Sequence, residues 1–225
     1  MKRWLQPLLD FVYPPFCVVC DGPLKGGGNY VCDDCWGNLE FYEGEVCHGL
    51  TNRSHIDEVL TTFVYDDPMK RIMHYLKYKK ARRIGAQLAS YMVRLLQHPG
   101  LRRPDMLIPV PLHKIKRRER GYNQSEIIAV HLSRLTGIPC RPEIVIRCRN
   151  TVSQTQMTGA KERVRNVAGI FTVTDAHAVT GRSVALLDDV VTTGATANAA
   201  ALALKTAGAF HVTLLTVAHP ILRDI

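Results

Sequence analysis

The chain contains no hydrophobic run long enough to cross a bilayer. Its longest apolar stretches, such as Val212 to Val217, fall far short of the ~18 to 20 residues that a membrane helix needs, so no span is expected. The GxxxxGK and GxGxxG patterns are also missing, which argues against ATPase and dinucleotide-binding readings. There is no internal repeat and no low-complexity tract. A cleavable secretory signal is not evident either: Asp10 interrupts the first apolar stretch, and Pro14-Pro15 stand where small residues are required. Without one, the seven cysteines point to a reducing compartment, the cytoplasm by default, where thiols serve metals or packing more often than disulfides.

A length of 225 residues, 46% of them hydrophobic, suffices for one full α/β core and a small appendage. The formal charge of +9 stays positive even with four thiolates around a divalent zinc. It favours polyanionic ligands such as pyrophosphate esters or nucleic acid. Trp4, Leu5, Leu8, Leu9 and Val12 recur at helical spacing and predict a short amphipathic helix that the proline pair ends.

Cys17-x-x-Cys20, eleven intervening residues and Cys32-x-x-Cys35 have the spacing of two knuckles that present four thiolates to a structural zinc ion. The competing reading, two redox CxxC pairs, ordinarily accompanies a thioredoxin-like strand and helix, and none is recognisable here. Cys47-His48 and His55 follow without matched spacing, so a second metal site there stays open. Cys140 and Cys148 read most simply as small apolar fillers. The boundary falls near residue 57: residues 1–57 carry the N-terminal helix, the zinc module and a linker, and residues 58–225 form the main domain.

From Val59 the pattern alternates between strand and helix. Val59 to Tyr65, Asp105 to Val110, Ser183 to Leu187 and Val212 to Val217 read as strands. Met69 to Tyr78, Ile84 to Leu96, Asn123 to Leu135 and the alanine-rich Ala197 to Ala207 read as helices. Strands with apolar residues on both faces imply a parallel sheet covered by helices.

The most informative segment runs from Val184 through Asp188-Asp189 to Thr192-Thr193-Gly194-Ala195-Thr196. It is a buried strand, two acids, and a Thr/Gly turn that opens a helix. Amide N–H groups at a helix start lack intrahelical partners and sit at the positive end of the dipole, so this turn suits a phosphate monoester. As the chain leaves the strand its alternation breaks down, so both acids are expected to face a sugar and accept from its vicinal diol. Their charge suits an electron-poor anomeric carbon and a nearby Mg²⁺. An acidic N-cap on an ordinary helix is the bland alternative, but it does not account for strand, paired acids and turn together. The run Lys114 to Arg120 holds five Lys/Arg in seven residues. It reads as a solvated face, a pyrophosphate chelator with Arg120 foremost, or a nucleic acid contact to which Tyr122 adds a stacking ring.

These features together resemble the ComF/ComFC family of competence-associated proteins and, within it, the type I phosphoribosyltransferase motif that binds 5-phosphoribosyl-1-pyrophosphate (PRPP). The resemblance is carried by the four cysteines, by Pro109-Val-Pro-Leu-His113 leading to Arg120-Gly-Tyr-Asn-Gln124, by Thr151-x-x-Gln154 with Arg163-x-x-Asn166, and by the acidic-Thr segment. It implies a parallel-sheet, phosphoribosyltransferase-like α/β domain behind a zinc ribbon. PRPP or a ribose 5-phosphate ester would be held by Val190, Val191, Thr192, Thr193, Gly194, Ala195 and Thr196. Pro111, Leu112 and His113 would form the pyrophosphate turn, Arg120, Arg147 and Arg163 would add charge, and Asp188 and Asp189 would act at the ribose with Mg²⁺. Arg147, Arg149 and Arg163 are expected on or near a mobile loop. Two functions follow: phosphoribosyl transfer to an unknown acceptor with release of pyrophosphate, or a non-catalytic PRPP-sensing or single-stranded-DNA-handling role in DNA uptake, with competence-machinery proteins as partners.

Overall fold

The computed structural model describes residues 16–24, 30–43, 55–148 and 170–220. The predicted N-terminal helix, Cys47, His48, Arg149, Arg163 and the Thr151 to Asn166 motif lie outside the described residues. Among the described residues no helix is long and apolar enough to cross a membrane.

Among the described residues four strands form a parallel sheet: β1 (Glu58–Val64), β2 (Met106–Pro109), β5 (Ser183–Val190) and β6 (His211–His219), in the order β1-β6-β5-β2. β3 (Val145–Arg147) and β4 (Phe171–Val173) pair antiparallel beside it. The helices are α1 (Asp33–Gly37), α2 (Asp67–Tyr78), α3 (Arg83–Met92, continued by a 3₁₀ turn to Gln97), α4 (Lys114–Arg120), α5 (Gln124–Thr136), α6 (Ala176–Val179) and α7 (Ala195–Thr206).

Strand alternation sends the sheet's side chains into two cores. Ala185, Leu187, Leu215 and Val217 meet α2, α3 and α5 on one face, while Val184, Leu186, Val212 and Leu214 meet α7 on the other. The alanines of α7 let it lie close, with Ala197, Ala200 and Ala201 buried. At Gly85 on α3 a Cβ would stand 2.6 Å from Ile127 Cγ2 of α5, so a side chain there would force Ile127 to move.

The cysteine segment is not a separate bead. Cys17, Val18, Val31, Trp36 and Leu39 belong to the same buried cluster as Met69, Ile72 and Ile84, and Trp36 stacks on Tyr91 with centroids 5.4 Å apart. The chain then runs along the edge of β1, where Val64 N–H donates to Glu40 O at 2.9 Å and Tyr42 N–H to Thr62 O at 3.0 Å. This covers a sheet edge that would otherwise invite pairing with another chain.

The strands and helices predicted from Val59 onward are present, with one shift that matters. β5 does not stop at Leu187 but continues through both acids to Val190, with Asp188 in register with Thr216 and Val190 with Ala218. The apolar run fades there, but the hydrogen-bonded neighbour β6 carries the strand on.

Candidate functional site

The Thr192 to Thr196 turn stands at the carboxyl end of β5. Gly194 takes φ +72 as the N-cap of α7, a left-handed conformation that glycine adopts without a Cβ clash. Thr192, Thr193, Ala195 and Thr196 are exposed around it. Here the chain encloses a small hollow of about 70 Å³, lined by Asp188 and residues 190–197. The first turn of α7, a helix of twelve residues, borders this hollow, and Asp188 is the acidic residue of its lining.

Asp188, Val190 and Thr196 also border a larger cleft of about 360 Å³. Across it lie Pro111, Leu112 and His113, the turn that follows β2. Lys116 and Arg120 enter from α4. They are four residues apart, one helical turn, which puts both on the same face. Arg120 is steadied by Tyr78, whose hydroxyl accepts from Nη2 at 3.1 Å and whose ring lies 5.0 Å from the guanidinium. Arg147, on β3 and not in a loop, completes the wall. Burial pushes its guanidinium below the usual arginine range. Thus every expected PRPP-binding residue within the described residues borders one of two adjoining hollows.

The two acids are held differently. Asp189 is buried, and its Oδ2 accepts from Lys77 Nζ at 3.0 Å and from Gln124 Nε2 at 2.8 Å, while its Oδ1 takes the Val190 N–H at 2.6 Å. Asp188 Oδ1 accepts from Ser125 Oγ at 3.2 Å and from the Asp189 N–H at 2.9 Å. Burial, then the neighbouring Asp189 carboxylate, pushes Asp188 up to about 7. Two adjacent carboxylates need a cation or donors beside them, and Lys77, Gln124 and Ser125 supply these.

Periodicity gave no functional role to Lys77, Gln124 or Ser125. Lys77 reads as the polar face of one helix, and Gln124 and Ser125 as the first turn of another. The signal available for Gln124 was its place in the Arg120 to Gln124 motif. Asn123 anchors that start: its Oδ1 accepts from Ser125 N–H at 3.1 Å and its Nδ2 donates to Val110 O at 3.0 Å.

Tyr122 corrects an expectation. It is buried, its hydroxyl donates to Leu76 O, and Arg82 lies 4.7 Å above its ring, so it offers no face to a base. Cys148 is no simple filler, since its Sγ donates to Thr172 Oγ1 at 3.0 Å. Cys140 packs at the edge of the core, and burial raises its thiol to about 11. His55 is not in the cysteine cluster; its N–H donates to Asn198 Oδ1 at 2.6 Å.

The thiols of Cys17, Cys20, Cys32 and Cys35 converge within 4.8 Å of one another, with Cys20 and Cys32 3.8 Å apart. Four sulfurs bound tetrahedrally to zinc at about 2.3 Å are separated by about 3.8 Å, so the set fits a structural Cys₄ zinc site. Amides prepare it. Val19 and Cys32 N–H donate to Cys17 Sγ, and Cys35 N–H to Cys32 Sγ, each at 3.4 Å. Burial opposes the Cys17 thiolate, but the amides of Cys20, Cys32 and Val19 prevail and bring its thiol down to about 6.

Residues 8–59 match the double zinc ribbon domain family. Over 216 residues the chain is 30% identical to the DNA utilization protein YhgH of Escherichia coli, covering 87% of this chain and 93% of that one. The chain belongs to the ComF family. Other ComF relatives include competence protein F of Haemophilus influenzae, 28% identical over 85% of this chain and 91% of the relative, and competence protein ComFC of Bacillus subtilis, 26% identical over 85% and 72%. Among solved structures, the glutamine PRPP amidotransferase of B. subtilis, complexed with ADP and GMP, aligns with 64% of this ComF chain and 30% of its own, at 20% identity and a TM-score of 0.43.

Proposed function

We propose that the cleft binds PRPP and transfers its phosphoribosyl group to a nitrogen nucleophile, releasing pyrophosphate. The observation that carries this reading is the junction of two hollows at Asp188, Val190 and Thr196: a helix-start turn suited to one phosphate adjoins a cleft with acids on one wall and basic groups on the other. The 5-phosphate sits on the Thr192 to Thr196 amides and hydroxyls. The pyrophosphate lies toward Lys116, Arg120 and Arg147. In the reaction the bond from the anomeric carbon to the pyrophosphate oxygen breaks with its electron pair on the leaving group. A bond to the incoming nitrogen forms, and that nitrogen loses a proton.

Each part of the cleft has a task in that exchange. Asp188 and Asp189 supply negative potential beneath a ring that gains positive charge, and Arg120 and Arg147 balance charge growing on the leaving group. Asp188 Oδ2, which has no hydrogen-bond partner among the described residues, is an oxygen donor of the kind Mg²⁺ takes. Bound there with the substrate, Mg²⁺ supplies charge neutralisation to the pyrophosphate.

The test is Mg²⁺-dependent pyrophosphate release from PRPP across a panel of amine and nucleobase acceptors. Asp188→Asn and Asp189→Asn are expected to lower release by about 10²-fold or more; unchanged release in both variants overturns the reading.

A second reading rests on another groove of about 380 Å³ bordered by α4 and α5, where Arg82, Arg117 and Arg134 gather with Glu126 as the sole acid of the lining. Such a surface suits a phosphodiester backbone, and in that reading the protein handles single-stranded DNA without turnover. Affinity for an oligonucleotide should then fall steeply with salt, and with a shallower slope in an Arg82→Ala/Arg134→Ala variant. Salt-independent binding would exclude it.

A further inference from the structure

We propose that His219, the last residue of β6, is a positioning residue that aims the Thr192 amide at a bound phosphate. The proposal rests on the reading of the Thr192 to Thr196 turn as a phosphate site and adds to it a side chain from another strand. The ring Nδ1 of His219 lies 2.8 Å from Val191 O. A carbonyl oxygen only accepts, so Nδ1 carries the proton and donates it. Val191 N–H in turn donates to Ala218 O at 3.2 Å. The last two residues of β6 thus hold Val191 by both of its backbone groups, and the peptide joining Val191 to Thr192 is the last one pinned before the turn.

Pinning that carbonyl also fixes the amide on the other side of the same peptide. In a planar trans peptide the C=O and the following N–H point in opposite directions. With Val191 O turned toward His219, Thr192 N–H turns away from it, and Thr192 borders the hollow whose lining does not include His219. That N–H has no hydrogen-bond partner among the described residues. The imidazole has little freedom to move. His219 is 4% exposed, its own carbonyl accepts from Tyr65 N–H at 2.9 Å, and the Tyr42 ring packs edge-on against it with centroids 5.7 Å apart. Tyr42 belongs to the stretch that runs from the cysteine segment along β1, so that stretch braces the ring that braces the turn. His219 stands 28 positions from Val191, outside any motif of the turn itself.

The experiment titrates the isotope-labelled, zinc-loaded full chain with ribose 5-phosphate and follows backbone amide resonances and binding heat. In the wild type the Thr192 amide proton should shift on binding together with those of Thr193 to Ala197. His219→Asn places a donor nitrogen the same number of bonds from Cα as Nδ1, and it should keep both the shift and the affinity. His219→Leu fills the space without a donor; it should lose the Thr192 shift and bind ribose 5-phosphate about tenfold more weakly, the effect of one hydrogen bond, while the later amides still respond. If the leucine variant binds like the wild type, or the asparagine variant loses as much as the leucine one, His219 does not act by donation and the proposal is wrong. Should the leucine variant fail to fold, the wild type decides: a Thr192 amide that stays still while its neighbours shift overturns the proposal and leaves the phosphate site standing. No heat and no shift anywhere in the turn removes the proposal and the reading beneath it together.

Discussion

The cysteine cluster and the cleft are both built from acidic or thiol groups brought close together, yet they treat their ligand atoms in opposite ways. In the cluster all four sulfurs face one point, and backbone amides are aimed at Cys17 and Cys32. In the cleft the charges are balanced by the protein itself, Asp189 by Lys77 and Gln124, while Gln124 Oε1 and Asp188 Oδ2 have no hydrogen-bond partner among the described residues. A site that closes on its ligand serves the fold; a site with atoms to spare serves a ligand that comes and goes.

Zinc removal should break the comparison most severely. The cluster shares its core with α2 and α3, and structural zinc contributes on the order of 10 kcal/mol to a module of this kind. Cys32→Ser, or chelation of the native protein, is therefore expected to lower the melting temperature of the whole chain and to release metal. An unshifted melting curve with zinc lost would show that the ribbon is energetically separate from the sheet.

Next in size is the anchor of the cleft. Lys77 and Asp189 side chains are 19% and 11% exposed, and removing one partner of a largely buried pair costs about 3 to 5 kcal/mol. Lys77→Met should lower stability in urea titration by that order. The double change with Asp189→Asn should cost less than Lys77→Met alone, because no buried charge is then stranded. Simple additivity would argue against coupling.

Asp188 sharpens the contrast through pH. Its carboxyl is raised to about 7 in the fold, so its contribution is fully present below the ordinary aspartate pKa near 4 and is lost as pH rises through about 7. Wild-type stability should therefore decline across that window. Asp188→Asn should flatten the decline and be more stable than wild type at pH 8, by about 1 to 3 kcal/mol, while weakening sugar-phosphate binding. Equal pH profiles for the two proteins would contradict the burial of this group. The smallest effect belongs to Arg117, whose pair with Glu126 is 3.3 Å long and largely exposed. Arg117→Ala should change stability by less than about 1 kcal/mol, yet weaken oligonucleotide binding if the second groove is used.

Local chemistry determined a great deal. Each CxxC pair brings its two thiols together locally, Cys17 and Cys20 across a turn and Cys32 and Cys35 at the start of α1, and the Thr192 to Thr196 turn needs only its own strand and helix to expose amides at a helix start. Alternation marked β5 and β6, and Asn123 with Gly137 bounded α5 as its caps. These features depend on residues within a few positions of one another, so spacing alone encodes them.

Tertiary structure decided the rest. Lys77 and Asp189 are 112 positions apart, and Gln124 and Asp189 are 65; no period connects them, and only the packing of α2 and α5 on the sheet aligns their atoms. The same packing buried Tyr122, divided the basic run between two hollows, and carried β5 past its apolar residues. Whether a polar side chain is satisfied or left waiting is settled by neighbours from other elements, and that difference separates a helix start from a binding site.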